Sequence, residues 1–223
     1  MSGSPTREEL HEVAEVTVRI LRSCGIPCFL VGGMACSVYG TSRLPNDIDM
    51  AVMTDEDAEF VKSRLVCRDA RFYLVNAKNV WATYKVLWFS LSTSLYSGSR
   101  RSCKVDILRR GTLNIPSVAT SKIREVKGLP VAPLLLLLCL KLQCWDHHGA
   151  AIEWRYRSKQ PADAGDINEL LRIAVANGEN LAKERWMPEQ FVRDAEERVR
   201  KFLHSRWDTQ GTRKWKALGF RTD

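Results

Sequence analysis

Residues 31–52 read VGGMACSVYGTSRLPNDIDMAV. A glycine pair, Gly32-Gly33, closes the short apolar stretch Cys28–Val31, and two acids, Asp47 and Asp49, sit on the next one. A strand built only for a core would carry Val or Ile there. Side chains alternate faces along a strand, so Asp47 and Asp49 point one way while Ile48 and Met50 point the other. Two carboxylates side by side repel each other, and each resists burial without a partner. A divalent cation between them reverses that. Mg²⁺ takes oxygen ligands in octahedral geometry and shares them with substrate phosphates. The glycine pair, placed between a strand and a helix, exposes backbone N–H groups at a helix N-terminus, where phosphate is favoured. Glycine also lets the backbone come close to the phosphate. Neither a Walker loop nor a G-x-G-x-x-G fingerprint is present.

A third acid should complete such a site. Lys104–Leu108 reads KVDIL, an apolar strand with Asp106 at its centre, one of only three acids between residues 60 and 130. The plainer alternative is a strand-edge Asp paired with a nearby Lys or Arg.

Working outward, Leu10, Val13, Ile20 and Leu21 share one helical face over residues 6–23, with Thr6 as N-cap and Glu8 and Glu9 in the first turn. The spacing predicts a strand at Cys28–Val31, a helix near Met34–Tyr39 ended by Gly40, a loop Thr41–Pro45 and a strand Asp47–Met53. Thr54 then reads as the N-cap of a helix running to about Cys67. Strand-like segments follow at Arg71–Val75, Trp81–Leu91 and Lys104–Leu108, with Ser97–Ser99 as a loop. After Pro130 the pattern turns helical, at 132–148, Gly165–Ala176 and Pro188–Leu203. The expected architecture is α/β (α+β): a mixed β-sheet core flanked by helices over 1–130, then a C-terminal helical region over 131–223.

The net charge is +8, unevenly spread. Residues 1–59 carry a net −6 and residues 60–130 a net +11. A basic middle third favours a polyanion such as a triphosphate, RNA or another anionic acceptor; a merely solvated basic face is the alternative. The polar N-terminus has no apolar leader, and the longest apolar run, Val131–Leu140, falls short of the ~20 residues a membrane helix needs. Seven irregularly spaced cysteines with no C-x-x-C pair read as reduced core thiols of an intracellular, cytoplasmic protein. The loose group Cys139, Cys144, His147 and His148 has metal-ligand chemistry, but such residues more commonly serve as core thiols and a solvated helix end.

The series Gly32-Gly33, Asp47-Ile48-Asp49 and a later strand Asp106 resembles the nucleotidyltransferase superfamily that includes DNA polymerase β. It looks most similar to the small abortive-infection type II toxin-like and antibiotic nucleotidyltransferases. FLVGGMACSVYGTSRLPNDIDMAV carries the resemblance, followed more loosely by LPVAPLLLLLCLKLQCW and KQPADAGDINELL; together they span about residues 25–175. The resemblance implies a mixed-sheet nucleotidyltransferase core. It implies an enzyme that moves a nucleoside monophosphate from an NTP to a hydroxyl of RNA, tRNA, protein or a small molecule, releasing pyrophosphate. Asp47, Asp49 and Asp106 would bind Mg²⁺ (or Mn²⁺), with Asp106 also helping to remove the hydroxyl proton. Gly32 and Gly33 would cradle the triphosphate, and Arg43, Lys141 and Lys159 would neutralise phosphate charge. Lys141 has a plain alternative as a snorkelling helix lysine, and Asp163 and Asp166 as caps of the helix they begin. The loop Thr41–Asn46 departs from the Ser or Thr that more commonly precedes the first Asp. A silent nucleotide- or RNA-binding module of the same fold is the second reading. A tail that binds a partner through Trp207 and Trp215 is a third, although packing suits those residues better. The base, the acceptor and the oligomeric state are not encoded in any motif.

Overall fold

In the computed structural model, residues 4–78, 81–91 and 101–223 are described. The expected loop Ser97–Ser99 lies outside them. The chain forms two compact units, one of residues 1–38 and 42–131, the other of 39–41 and 132–223.

The first unit is built on one seven-stranded mixed sheet. Its elements are α1 (Arg7–Ser23), β1 (Cys28–Val31), α2 (Gly32–Tyr39), β2 (Asp47–Val52), α3 (Ala58–Arg68), β3 (Phe72–Asn76), β4 (Lys85–Ser90), β5 (Ser102–Arg109), β6 (Arg124–Val126) and β7 (Leu129–Val131). The strand order is β3-β4-β5-β2-β1-β7-β6. β2 runs parallel to β5, and β1 parallel to β7; the other neighbours are antiparallel. β1 is buried along its whole length, because both sides of this central strand are covered. On β2, Ile48 and Met50 are fully buried while Asp47 and Asp49 are half-buried, the alternation expected of a strand with one open face. Thr6 closes α1 with a reciprocal capping box: its hydroxyl accepts the Glu9 N–H at 3.2 Å, and its own N–H donates to the Glu9 carboxylate at 2.7 Å.

The start of α3 departs from expectation. The Asp57 carboxylate, not the Thr54 hydroxyl, caps the helix, accepting the Glu59 N–H at 2.8 Å. Thr54 instead accepts the N–H of Glu56 in a local turn at 3.2 Å. Trp81–Tyr84 precede β4 rather than joining it. The short hairpin β6–β7 was not anticipated; Lys127 (φ 50°) and Gly128 (φ 79°) form its tip. Two central residues at positive φ suit the twist of a tight hairpin.

The second unit holds α4 (Leu134–Ala150), α5 (Trp154–Arg157), α6 (Gln160–Ala176), α7 (Glu189–Leu203) and α8 (Thr212–Ala217). α4 is buried from Leu134 through Gln143. Its Trp145 meets Phe202 of α7 edge-on at 5.0 Å, and Phe202 in turn meets Trp215 of α8. Trp215 is fully buried and also packs on Phe220 at 5.4 Å, so this part of the tail is core. α6 begins at Gln160, five residues earlier than the apolar periodicity suggests, with Pro161 in its first turn. Among the described residues, no helix is long and apolar enough to cross a membrane. All seven cysteines are free; Cys28, Cys36, Cys103 and Cys139 are buried, Cys24 and Cys144 partly so, and Cys67 is exposed.

Candidate functional site

The parallel pairing of β2 with β5 sets Asp49 directly opposite Asp106, and Asp47 opposite Lys104. Aligned residues on neighbouring strands project to the same face, so the three acids and Lys104 share one half-exposed surface of the sheet. The acids come from two strands distant in sequence, and the parallel register alone joins them. The antiparallel β1 adds Val31 beside Asp49, and the chain turns there into α2.

That turn explains the glycine pair. Gly32 has φ 59°, a left-handed conformation that favours glycine. A Cβ on Gly32 would lie 1.9 Å from Asp49 Oδ2. The Asp49 carboxylate therefore occupies the space a side chain would take, pressed on the backbone at the start of α2. At Gly33 an added Cβ would stand 2.8 Å from Arg43 Nη2 and 3.0 Å from Pro45. The loop before β2 thus lays the Arg43 guanidinium over the same helix start. Gly32, Gly33, Arg43, Asp47, Asp49 and Asp106 are all gathered in the first unit.

Lys104 is the member that the motif reading missed. Its ammonium donates to Asp106 Oδ2 at 2.5 Å. Burial lowers its pKa, but the hydrogen bond and charge of Asp106, joined by the charges of Asp47 and Asp49, outweigh burial and hold it above the usual lysine value. The signal was in the sequence. Lys104 stands two residues before Asp106, the strand period that shares a face. Beneath the site, burial first, then the charges of Asp47 and Glu9, push the Cys103 thiol up to about 12.

The donor chemistry of this face, three aspartates within one strand pair, suits a hard cation such as Mg²⁺. As the side chains stand, Asp106 turns to Lys104. Among the described residues, no group of three or more His, Cys, Asp or Glu converges as a ligand cage. That holds also for Cys139, Cys144, His147 and His148.

Lys141 and Lys159 lie in the second unit. Lys141 does not snorkel; its side chain is only 7% exposed and its Nζ lies 2.8 Å from Asp166 and 3.2 Å from Asp163. Asp163 and Asp166 are themselves buried inside α6, not capping it. His148 Nδ1 meets the other oxygen of Asp163 at 2.5 Å, and its ring stacks on Tyr156 at 6.3 Å. His148 is therefore part of a built network, whereas His147 is exposed. Lys159 sits at the start of α6 with its ammonium 5.8 Å from the Tyr156 ring.

Solved structures with this arrangement of strands and helices carry related names. An antigenic nucleotidyltransferase-like protein from Paracoccidioides brasiliensis superposes with a TM-score of 0.66 at 14% identity, over 98% of this chain and 96% of that one. The fold is nucleotidyltransferase-like. JHP933 from Helicobacter pylori (TM-score 0.55, 16% identity, 89% of this chain and 75% of that one) and a putative nucleotidyltransferase from H. pylori (0.54, 18%, 89% and 77%) share the nucleotidyltransferase-like fold. No protein-family model matches the chain, and no curated protein does. At these identities the likeness lies in the fold, and the chemistry rests on the residues described above.

Proposed function

We propose that this chain is a metal-dependent nucleotidyltransferase that moves a nucleoside monophosphate from an NTP to an acceptor hydroxyl. The observation that carries this reading is the register of β2 and β5, which sets Asp49 against Asp106 with Asp47 on the same face. Asp47, Asp49 and Asp106 would hold Mg²⁺ or Mn²⁺. When bound, such an ion polarises the α-phosphoryl group and stabilises the departing pyrophosphate.

The chain's own residues do the rest. Backbone N–H groups at Gly32 and Gly33 receive triphosphate oxygens at the first turn of α2, where the helix dipole adds to their pull. Arg43, held over Gly33, sets a guanidinium against charge that grows on the phosphates. Asp106 accepts the proton of the attacking hydroxyl. The acceptor oxygen bonds to the α-phosphorus, the bond from that phosphorus to the bridging oxygen breaks, and pyrophosphate leaves with the electron pair. Lys141 offers no surplus charge, since two carboxylates surround its one ammonium. RNA or another anionic molecule is the favoured acceptor class.

One observation favours a silent nucleotide-binding module instead: the Lys104 ammonium already satisfies Asp106. Transfer of label from each α-labelled NTP, with Mg²⁺ or Mn²⁺, into RNA, protein and small-metabolite pools separates the two. Label in one pool that disappears in Asp47→Ala/Asp49→Ala establishes the transferase and names its acceptor class. Metal-dependent NTP binding with no label in any pool selects the silent module.

A further inference from the structure

Ile152 through Lys159, IEWRYRSK, are exposed at every position. Ile152 is 93% exposed and Trp154 74%. Three cations accompany one acid. Glu153 pairs with Arg155 at 2.5 Å, while Arg157 and Lys159 have no carboxylate partner among the described residues. A tryptophan left this open to water forgoes a large burial gain, so its position needs another explanation.

The segment is also firmly held. At its far end the Gln160 amide donates to the Trp145 carbonyl at 3.3 Å. Gln160 packs so closely on Gly149 that an added Cβ there would lie 2.0 Å from its nitrogen. Within the segment, Tyr156 and Arg157 both donate backbone N–H bonds to Glu153, at 3.0 and 3.2 Å. The Tyr156 ring stacks on His148, and the cations of Arg155 and Lys159 lie 4.8 and 5.8 Å from its centroid. Trp154 is left as the aromatic whose surface is open, with Arg157 three residues on, one turn away on a short helix.

We infer that this α5 surface binds a single-stranded nucleic acid, a base stacking on Trp154 and backbone phosphates meeting Arg157. An open aromatic ring beside unpaired cations is the combination that sequence-tolerant single-strand binding uses. Trp, Tyr and Arg also occur at protein interfaces, but two cations of this segment lack a carboxylate partner among the described residues, and that excess positive charge favours a polyanion. Holding the segment in place beforehand lowers the ordering cost of binding.

The test uses the full chain and a fluorescent single-stranded RNA of about 12 nucleotides, within the span such sites cover. The same sequence as DNA runs in parallel. Fluorescence anisotropy should show saturable binding to one or both strands that weakens steeply with salt. Trp154→Ala and Arg157→Ala should each weaken it at least about fivefold, and Trp154→Phe should retain most of it. Unchanged melting temperature and unchanged binding of a fluorescent NTP analogue identify the losses as local. Three results would overturn the inference: no binding to either strand, equal binding by both alanine variants, or a dimer in sedimentation that Trp154→Ala dissolves. The inference does not depend on turnover, so absence of label transfer with RNA binding intact counts against the transferase alone.

Discussion

At the level of single residues, the site is governed by two close approaches. Gly32 combines positive φ with a Cβ position inside the Asp49 carboxylate, while Gly25 has φ 69° and open space around it. Gly25→Ala therefore meets only the left-handed penalty, about 1–2 kcal/mol. Gly32→Ala meets that penalty and also has to displace Asp49. Urea unfolding of both variants should show the larger loss for Gly32→Ala, and equal losses would mean that Asp49 does not press on the turn. Lys104 makes the second approach. In Lys104→Met, Asp106 faces Asp49 with no ammonium beside it. The pair is about a third exposed, so the cost should be modest, about 1 kcal/mol or less. MgCl₂ should then raise the melting temperature of Lys104→Met more than that of the wild type. An equal rise in both would show that Lys104 does not stand in for a cation. The carboxylates were legible because period-2 alternation and the glycine pair are local signals. Asp106's choice of Lys104 was written in the same period, but the sequence alone allowed either a metal or a salt bridge.

Among elements, what sequence revealed depended on how local the cause was. Capping of α1, the β1–α2 turn and the β2 alternation are decided within a few residues, and they appear as read. The first residue of α3 was misplaced because Thr54 and Asp57 are both competent caps, and only the geometry of the turn selects between them. The β6–β7 hairpin escaped notice because its strands are three residues each, too short for a periodic signal. The partners of Lys141 were illegible for a different reason: they sit on another helix, and a lone lysine in LLLLLCLKLQ gives no hint of them. That contact has a measurable consequence. Asp163 and Asp166 are buried, so Lys141→Met should destabilise the second unit by about 3–5 kcal/mol, the cost of leaving buried charge uncompensated. Adding Asp163→Asn and Asp166→Asn should recover much of that loss. Chemical unfolding of the single and triple variants checks it. A single variant as stable as wild type would return Lys141 to the role of a solvated lysine.

For the whole chain, folding pairs part of the charge asymmetry of the sequence. Glu9 pairs with Arg101, Glu12 with Arg71, Asp55 with Arg110, Glu56 with Arg64 and Glu59 with Lys62. The acidic first segment thus engages Lys62, Arg64, Arg71, Arg101 and Arg110 inside the first unit, and the remaining cations of the middle segment keep its field positive. The buried thiols act on stability through both units at once. Burial pushes Cys28, Cys103 and Cys139 each up to about 12 from the ordinary thiol value of 9.0. The unfolded thiols lose their protons near pH 9 while the folded ones keep theirs. Their contribution is therefore complete below pH 9 and falls away as pH rises towards 12, by about 1.4 kcal/mol per pH unit for each thiol. Lys104, with its pKa raised, loses its contribution in the same direction, at a pH above the usual lysine value. Thermal unfolding in reductant from pH 7 to about pH 11 should therefore show a steep alkaline decline. Replacing the three thiols together with alanine lowers stability at every pH through the cavities it leaves, but it should flatten that decline. The slope, not the absolute melting temperature, is the readout. A triple variant with the wild-type slope would assign the alkaline loss to tyrosines and lysines rather than to the buried cysteines.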